Sequence, residues 1–320
     1  MTPVLEVSGL AKTFGGGRNN RALFGRAKPP VHAVRDLSFS VGPGETLGIV
    51  GESGCGKTTL ARMLAGLLPP SSGRIVIEGE DCTRIKGSGR RVQYVFQDPL
   101  GALNPRKKIR QIMAAPLRYL LGMDASSCNA RIAELFDAVG LRKEFLDRYP
   151  HEFSGGQAQR ISIARALAAN PRIIVLDEPV SALDVSVQAQ VLNLLTDLRV
   201  AYNFVYLLIS HDLAVVETIS DRVAVLYAGR IVELTDSADI FSNAKHPYTR
   251  LLADSAPVIG QQLPVVAGET GNPTNDRNVP AGCAFAGRCT RVRDNCRRTE
   301  PGITHLRDQN YVRCFYPLNE

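Results

Sequence analysis

The sequence predicts an α/β fold around a mostly parallel sheet, and three observations carry that reading. Residues Gly51 to Thr59 (GESGCGKTT) fit the spacing G-x-x-x-x-G-K-[ST] of a phosphate-binding loop. Apolar runs suited to buried strands recur along the chain and end in polar residues: Gln97 after 91–96, Asp177 and Glu178 after 172–176, and His211 after 205–210. Segments of helical character, such as 59–68 and 157–168, lie among those runs. In parallel α/β sheets, ligands collect at the C-terminal ends of the strands, which is where these polar residues fall.

Taken in order, 4–14 and 36–41 read as an antiparallel pair, separated by a Gly-, Asn- and Arg-rich insert over 15–30 that reads as a mobile loop. The run 45–50 (ETLGIV) is a buried strand and 59–68 (TLARMLAGLL) the helix after it. Between them Gly51, Glu52, Ser53, Gly54, Cys55, Gly56, Lys57, Thr58 and Thr59 form the loop. Phosphates need a concave ring of backbone N–H donors, which side chains would crowd, so Gly51, Gly54 and Gly56 keep the backbone open. The following helix adds its positive end. Lys57 can reach the β- and γ-phosphates of a nucleotide, and the Thr58 hydroxyl can ligate Mg²⁺.

The strand 172–177 stays apolar until Asp177 and Glu178. Asp177 is expected to hold Mg²⁺ through water, and Glu178 to polarise an attacking water. A lone Asp-Glu at a strand end is commonly a solvated turn; the phosphate loop upstream argues against that here. Gln97 can reach Mg²⁺ or the water from the side, and His211 can donate to the γ-phosphate. A lone histidine at a strand end is more often structural, but this is the fourth polar residue so placed.

Composition adds bounds. At 320 residues, 44% hydrophobic and 22% charged, the chain suits one large α/β domain plus an extension. No apolar run approaches the roughly 20 residues that span a bilayer, and no basic segment followed by an apolar stretch opens the chain, so no secretion signal is expected. The net charge of +7 could suggest nucleic acid or an anionic membrane surface. Apart from 106–108 and 288–298 the basic residues are scattered, without an aromatic ladder, and no nucleic-acid partner is expected.

With these residues in hand the chain resembles the ATP-binding subunits of ABC transporters. The match covers the phosphate loop, Gln97, Phe153-Ser154-Gly155-Gly156-Gln157, the Asp177-Glu178 pair, Ser181-Ala182-Leu183-Asp184 and His211, in family order. It implies a P-loop NTPase cassette over 1–235, with a RecA-like core, an antiparallel β-subdomain and a helical signature subdomain at about 98–165. In that family two cassettes meet head to tail, each ATP lying between the phosphate loop of one and the signature of the other, so Ser154, Gly155, Gly156, Gln157 and Asp184 are expected to serve ATP across the interface. An aromatic residue stacks on adenine; Phe14 is the candidate. Phe153 stands where the family more often has Leu and is expected to pack.

The stretches 97–108 (QDPLGALNPRKK), 149–157 (YPHEFSGGQ), 178–190 (EPVSALDVSVQAQ) and His246-Pro247-Tyr248-Thr249 look like the dipeptide/oligopeptide/nickel importer branch, most similar to its F-type subunits. The resemblance implies an ATPase that energises peptide import, with a paralogous cassette, two membrane permease subunits and, indirectly, a solute-binding protein as partners, held peripherally at the cytoplasmic face of the membrane. Nickel chelates, opines or glutathione-like molecules are alternative solutes. Residues 99–113 are expected to touch the permease. Soluble relatives acting on DNA or ribosomes carry a coiled-coil insertion or two cassettes in one chain, and this chain shows neither; a non-hydrolysing cassette would lack Glu178 or His211.

The segment 236–320 reads as an extension: a helical piece through 253, a Pro-, Gly- and Asn-rich stretch around 258–280, then a cysteine-rich tail. Four of the seven cysteines lie there, Cys283, Cys289, Cys296 and Cys314, spaced C-x5-C-x6-C-x17-C among arginines; Cys55, Cys82 and Cys128 look like isolated small residues. Four thiolates suit Zn²⁺ or a 4Fe–4S cluster, though a C-x2-C pair is missing; unligated thiols are the third reading. The resemblance implies a 4Fe–4S cluster. Every ATP-contacting residue predicted lies before Asp212, so ATP hydrolysis is expected to survive damage to the tail better than assembly with partners does.

Overall fold

Alternation of apolar and polar residues along β1 (Leu5–Phe14) and β2 (Val31–Val41) buries one face of each strand, and the two pair antiparallel with Leu5 opposite Val41 and Val7 opposite Phe39. β3 (Thr46–Val50) is buried along its whole length, as a continuous apolar run requires in a sheet covered on both sides. It feeds the phosphate loop and α1 (Lys57–Leu64). This helix starts two residues before the predicted Thr59, because Gly56 can take φ 112 at its N-cap, and stops before Gly66, at φ 69. β4 (Ser72–Ile77) and β5 (Glu80–Asp81) complete a four-stranded antiparallel sheet in the order β2-β1-β4-β5.

β6 (Val92–Val95) is followed by the predicted helical region: α2 (Ile109–Leu121), α3 (Ala125–Ala138) and α4 (Gly155–Ala168). Then strands and helices alternate through β7 (Ile173–Asp177), α5 (Val185–Tyr202), β8 (Val205–Ile209), α6 (Leu213–Ile219), β9 (Arg222–Tyr227) and β10 (Arg230–Asp236). The period of two splits the central sheet between two cores. Ile173, Val175, Val205 and Leu207 pack toward α1 and the antiparallel sheet; Ile174, Leu176, Tyr206 and Leu208 pack toward α2–α6.

The structure is a computed structural model that describes residues 2–15, 29–84, 88–255, 281–307 and 309–318; most of the predicted insert and the whole stretch around 258–280 lie outside the described residues. The tail joins the core sheet. After α7 (Asp239–Ser242), α8 (Pro247–Asp254) and α9 (Asp294–Arg298) come β11 (Thr304–Arg307) and β12 (Asn310–Val312). β12 pairs antiparallel with β10, setting Val312 opposite Glu233 and Tyr311 opposite Leu234. The result is an eight-stranded sheet in the order β11-β12-β10-β9-β3-β8-β7-β6. Buried Tyr311 donates its hydroxyl hydrogen to Ser38 O at 3.1 Å, and Arg35 pairs with Glu300 at 3.2 Å.

His246 opens α8, and its buried Nδ1 accepts the N–H of Tyr248 at 3.0 Å. Beside it, buried Glu233 accepts the N–H groups of Lys245 and His246 at 2.9 and 2.7 Å. Burial pushes the His246 pKa down to about 3. The folded value lies below the unfolded value of about 6.5, so the unfolded chain takes the proton first as pH falls. The stability is complete above about pH 6.5 and drains between there and about pH 3, with about 1.4 kcal/mol lost from pH 7.5 to 5.5. His246→Asn keeps an N-cap acceptor without a titrating ring. Urea unfolding of the two proteins at pH 7.5 and 5.5 should show the shallower pH slope in the variant.

Candidate active site

The loop between β3 and α1 is built by close backbone approach. Gly51, Gly54 and Gly56 have φ of 150, 82 and 112. A Cβ on Gly51 would lie 2.2 Å from Leu226 O, and one on Gly56 2.3 Å from Ala33 O, so both positions exclude side chains on sterics as well as torsion. Ser53, Gly54 and Thr58 are exposed while Lys57 is buried. The Lys57 ammonium donates to Gly51 O at 2.6 Å and Glu52 O at 3.0 Å. No side chain caps α1 and no acid stands in its first turn, which leaves the helix N–H groups available to an anion. Thr59 is partly buried; Cys55 is buried, and burial pushes its thiol pKa up, so it packs as a small neutral residue.

The sheet order sets β3, β8, β7 and β6 side by side, all parallel, which brings their C-terminal ends to one edge. Asp177 ends β7, nearly buried, and accepts a hydrogen bond from the Tyr94 hydroxyl on β6. Burial raises its carboxyl pKa, and the Tyr94 bond opposes that. Glu178 sits at φ 49, a left-handed conformation that costs a non-glycine residue about 1–3 kcal/mol when the surroundings hold it there. They do: its N–H donates to Ile209 O at 2.9 Å, and Ser181 Oγ donates to its carbonyl at 3.1 Å. Gln97 Nε2 donates to Glu178 Oε2 at 2.8 Å, while His211 Nδ1 lies 3.2 Å from Oε1. Two of the residues predicted from separate strand ends, Gln97 and His211, thus converge on the carboxylate of a third.

Ser154, Gly155, Gly156 and Gln157 open α4. Ser154 Oγ accepts the Gln157 N–H at 3.3 Å, and Gln157 Oε1 accepts the Ser154 N–H at 3.1 Å, a reciprocal capping box. The Gln157 side chain is therefore engaged in its own helix start. Ser154 and Gly155 are exposed. Gly156 has a reason within its own chain to be glycine, since a Cβ there would lie 2.4 Å from Val187 Cγ1. Phe153 is buried edge-to-face on Phe145, with ring centres 5.7 Å apart, and so packs as expected. Asp184 is exposed at the N-cap of α5 with no side-chain capping bond. Phe14 ends β1 with its ring 41% exposed and the Lys12 ammonium 5.4 Å from its centre. Among the described residues no hydrogen bond or ion pair joins 153–157 to the phosphate loop.

Three residues at the site went unread in the sequence. Tyr94 is one. The others come from the C-terminal segment: the Tyr248 hydroxyl accepts the Glu52 N–H at 2.9 Å, and Arg288 grips the Glu52 carboxylate with Nη1–Oε2 at 2.9 Å and Nη2–Oε1 at 2.8 Å. The phosphate loop is thus braced by the tail. His246-Pro247-Tyr248-Thr249, singled out only by resemblance, turns out to start the helix that carries this brace.

Cys283, Cys289, Cys296 and Cys314 line one small cavity together with Phe285, Pro301 and Tyr316. The Cys283 N–H donates to Cys296 O at 2.8 Å, and the Tyr316 N–H donates to Cys314 Sγ at 3.4 Å. Burial first, and the neighbouring thiols after it, push Cys283 and Cys289 up and Cys314 to about 11. Among the described residues no three His, Cys, Asp or Glu side chains are gathered closely enough to hold a metal ion as they stand. Cys82 and Cys128 are buried elsewhere.

A family model described as ABC transporter matches residues 34–181, and one described as Oligopeptide/dipeptide transporter, C-terminal region, matches residues 232–296. The chain is 45% identical to the oligopeptide transport ATP-binding protein AppF of Bacillus subtilis (strain 168), over 97% of this chain and 96% of that one. It is 43% identical to the dipeptide transport ATP-binding protein DppF of Haemophilus influenzae, over 98% and 97% of the two chains. Among solved structures, the dimeric ATP-binding cassette MJ0796 bound to ADP and Pi superposes with a TM-score of 0.62 at 24% identity, over 73% of this chain and 98% of its own. CbiO1 from Clostridium perfringens gives 0.64 at 23%, over 76% and 92%. These two likenesses show the fold: an ABC cassette of the P-loop NTPase class. With near full-length identity above 40%, the chain belongs to the oligopeptide and dipeptide transport ATP-binding proteins of the ABC transporter family.

Proposed function

We propose that this protein is the ATP-hydrolysing subunit of a peptide importer, with residues 51–59 holding the phosphates and Glu178 as the base. The observation that carries the chemistry is the convergence of Gln97 and His211 on Glu178, one residue beyond Asp177 and two strands from the phosphate loop. Peptide as the solute is supported by the relatives' names and by the match of the C-terminal region. Thr58, Asp177 and Gln97 supply oxygen ligands suited to Mg²⁺, which would neutralise charge on the β- and γ-phosphates. Water attacks the γ-phosphorus as its bond to the ADP oxygen breaks; Glu178 takes the proton from that water, Lys57 and the α1 N–H groups hold the phosphate oxygens, and His211 donates to the γ-phosphate.

The exposed Ser154, Gly155 and Asp184 are read as facing a second cassette, and Phe14 as the adenine platform. A paralogue is the preferred partner. Residues 99–113 are read as the contact with one of two permease subunits; 104–108 are exposed, and Leu100 is 39% exposed. No helix among the described residues is long and apolar enough to cross a membrane, so attachment to the cytoplasmic face would come through those partners.

Residues 236–320 are read as an extension with a metal site of its own. Four cysteines around one cavity, three of them with thiols raised by burial, are a poor place for bare thiolates and suit a centre that supplies positive charge; the Tyr316 N–H already donates to one sulfur. A cubane holds its ligand sulfurs farther apart than one ion does, and a 4Fe–4S cluster is preferred to Zn²⁺ on that ground. It would serve as a staple for the tail.

Three measurements test this reading. Glu178→Gln should hydrolyse ATP about 10²- to 10⁴-fold more slowly in the assembled transporter while binding it nearly normally; Lys57→Ala should weaken binding itself by removing a charge-assisted contact. A near wild-type rate for Glu178→Gln would remove this carboxylate from its role. Gly156 is unsuitable for probing the interface, given its contact with Val187. Ser154→Asp keeps a good N-cap while adding charge toward a γ-phosphate. It should abolish transporter ATPase and leave ATP binding by the single chain unchanged; equal loss in the single chain would place the signature in its own site. Protein purified without oxygen should be brown with about four irons per chain. Stoichiometric zinc, or metal-free protein with an ordered tail, would overturn the cluster.

A further inference from the structure

Glu52 is the acidic residue of the phosphate loop GESGCGKTT. A free carboxylate there repels a triphosphate, and repulsion between like charges persists at several ångströms wherever protein displaces water. The structure gives this carboxylate a partner 236 residues along the chain: the guanidinium of Arg288, in a two-bond fork at 2.9 and 2.8 Å. Isolated surface ion pairs are worth little, but forked geometry between half-buried groups, 29% and 28% exposed, is the exception. The backbone of the same residue is held by the hydroxyl of fully buried Tyr248, which packs 4.5 Å from Tyr227 and 5.4 Å from Phe285.

Phe285 and Arg288 belong to a short turn bounded by Cys283 and Cys289. The Ala286 N–H donates to Cys283 O at 3.0 Å, and the Arg288 N–H to Phe285 O at 3.0 Å. Whatever holds the two cysteines therefore holds Arg288. We propose that Arg288 is a positioning residue of the ATP site, which neutralises Glu52 and thereby couples nucleotide affinity to the integrity of the cysteine-rich turn that carries it. The inference rests on the reading that residues 51–59 bind ATP.

The test is ATP affinity of the full chain, purified without oxygen, with folding checked by circular dichroism. Arg288→Gln should weaken ATP binding about three- to tenfold, the scale of one screened charge. Arg288→Lys, which keeps the charge, should recover most of the loss. The decisive arm is the pair Glu52→Gln/Arg288→Gln: with the carboxylate gone the cation is no longer needed, and affinity should return to near wild type. Cys289→Ser should copy Arg288→Gln and be suppressed by Glu52→Gln in the same way. Wild-type affinity in Arg288→Gln overturns the proposal. So does a double variant as weak as the single, which would make the pair a mere brace. Should Arg288→Gln not fold, Arg288→Met takes its place under the same expectations, and wild-type affinity there again overturns the proposal. Lys57→Ala is the separate control: normal binding there would overturn the assignment of the loop and leave Arg288 without a site to position.

Discussion

A sheet packed on both faces leaves few places for charge. β3, β7 and β8 are buried along their lengths, their alternate side chains shared between two cores, so the polar groups of these strands are confined to the ends. Parallel order then puts four such ends along one edge. The loop of 51–56, His211, Asp177-Glu178 and Gln97 are neighbours for that reason alone. Glu178 adds the local strain: its left-handed φ is tolerable because strand β8 and Ser181 hold its backbone, and the result is a carboxylate turned to meet Gln97 and His211.

This explains what could be read in the sequence. An apolar run that stops at a polar residue is a local signal, and strand ends at Gln97, Asp177 and His211 were legible within a residue or two. The antiparallel pair was legible as 4–14 and 36–41, although its second strand begins five residues earlier, at Val31. Tyr94, Tyr248 and Arg288 were not, because each acts on a residue far away in the chain, Asp177 at 83 positions, Glu52 at 196 and at 236. Their only local marks are an aromatic residue in a strand, another after a proline, and one arginine among many. Gly156 is a further case. Its motif was visible, whereas the contact with Val187 that also requires glycine comes from the packing of α4 on α5.

A short segment with few apolar residues buries too little surface to form a core of its own. The tail is packed onto the cassette: β12 takes the open edge of β10, Tyr311 is buried beneath the antiparallel sheet's backbone, and Phe285 enters the main core against Tyr227 and Tyr248. A covered edge is also one less template for aggregation. Much of the anchoring of the tail thus comes from the cassette, and the tail adds contacts of its own, such as the β11–β12 pairing and the hydrogen bond of Tyr316 to Asn295.

A second link runs from the same edge in the opposite direction. Arg165 lies on α4, the helix that Ser154 opens, and its half-buried guanidinium donates to Ala102 O at 2.6 Å, in the segment just after Gln97. Burial lowers the Arg165 pKa, and a cation in such surroundings keeps its hydrogen bonds because losing them would leave a charge unpaired. Gln97, which contacts Glu178, and the exposed Ser154 are therefore joined by one rigid helix and one guanidinium. Under the proposed reading, a shift of Gln97 toward a γ-phosphate pulls on 98–103, and Arg165 passes that displacement to α4. The permease contact proposed for 99–113 lies on this same path, between the chemistry and the helical region that must move.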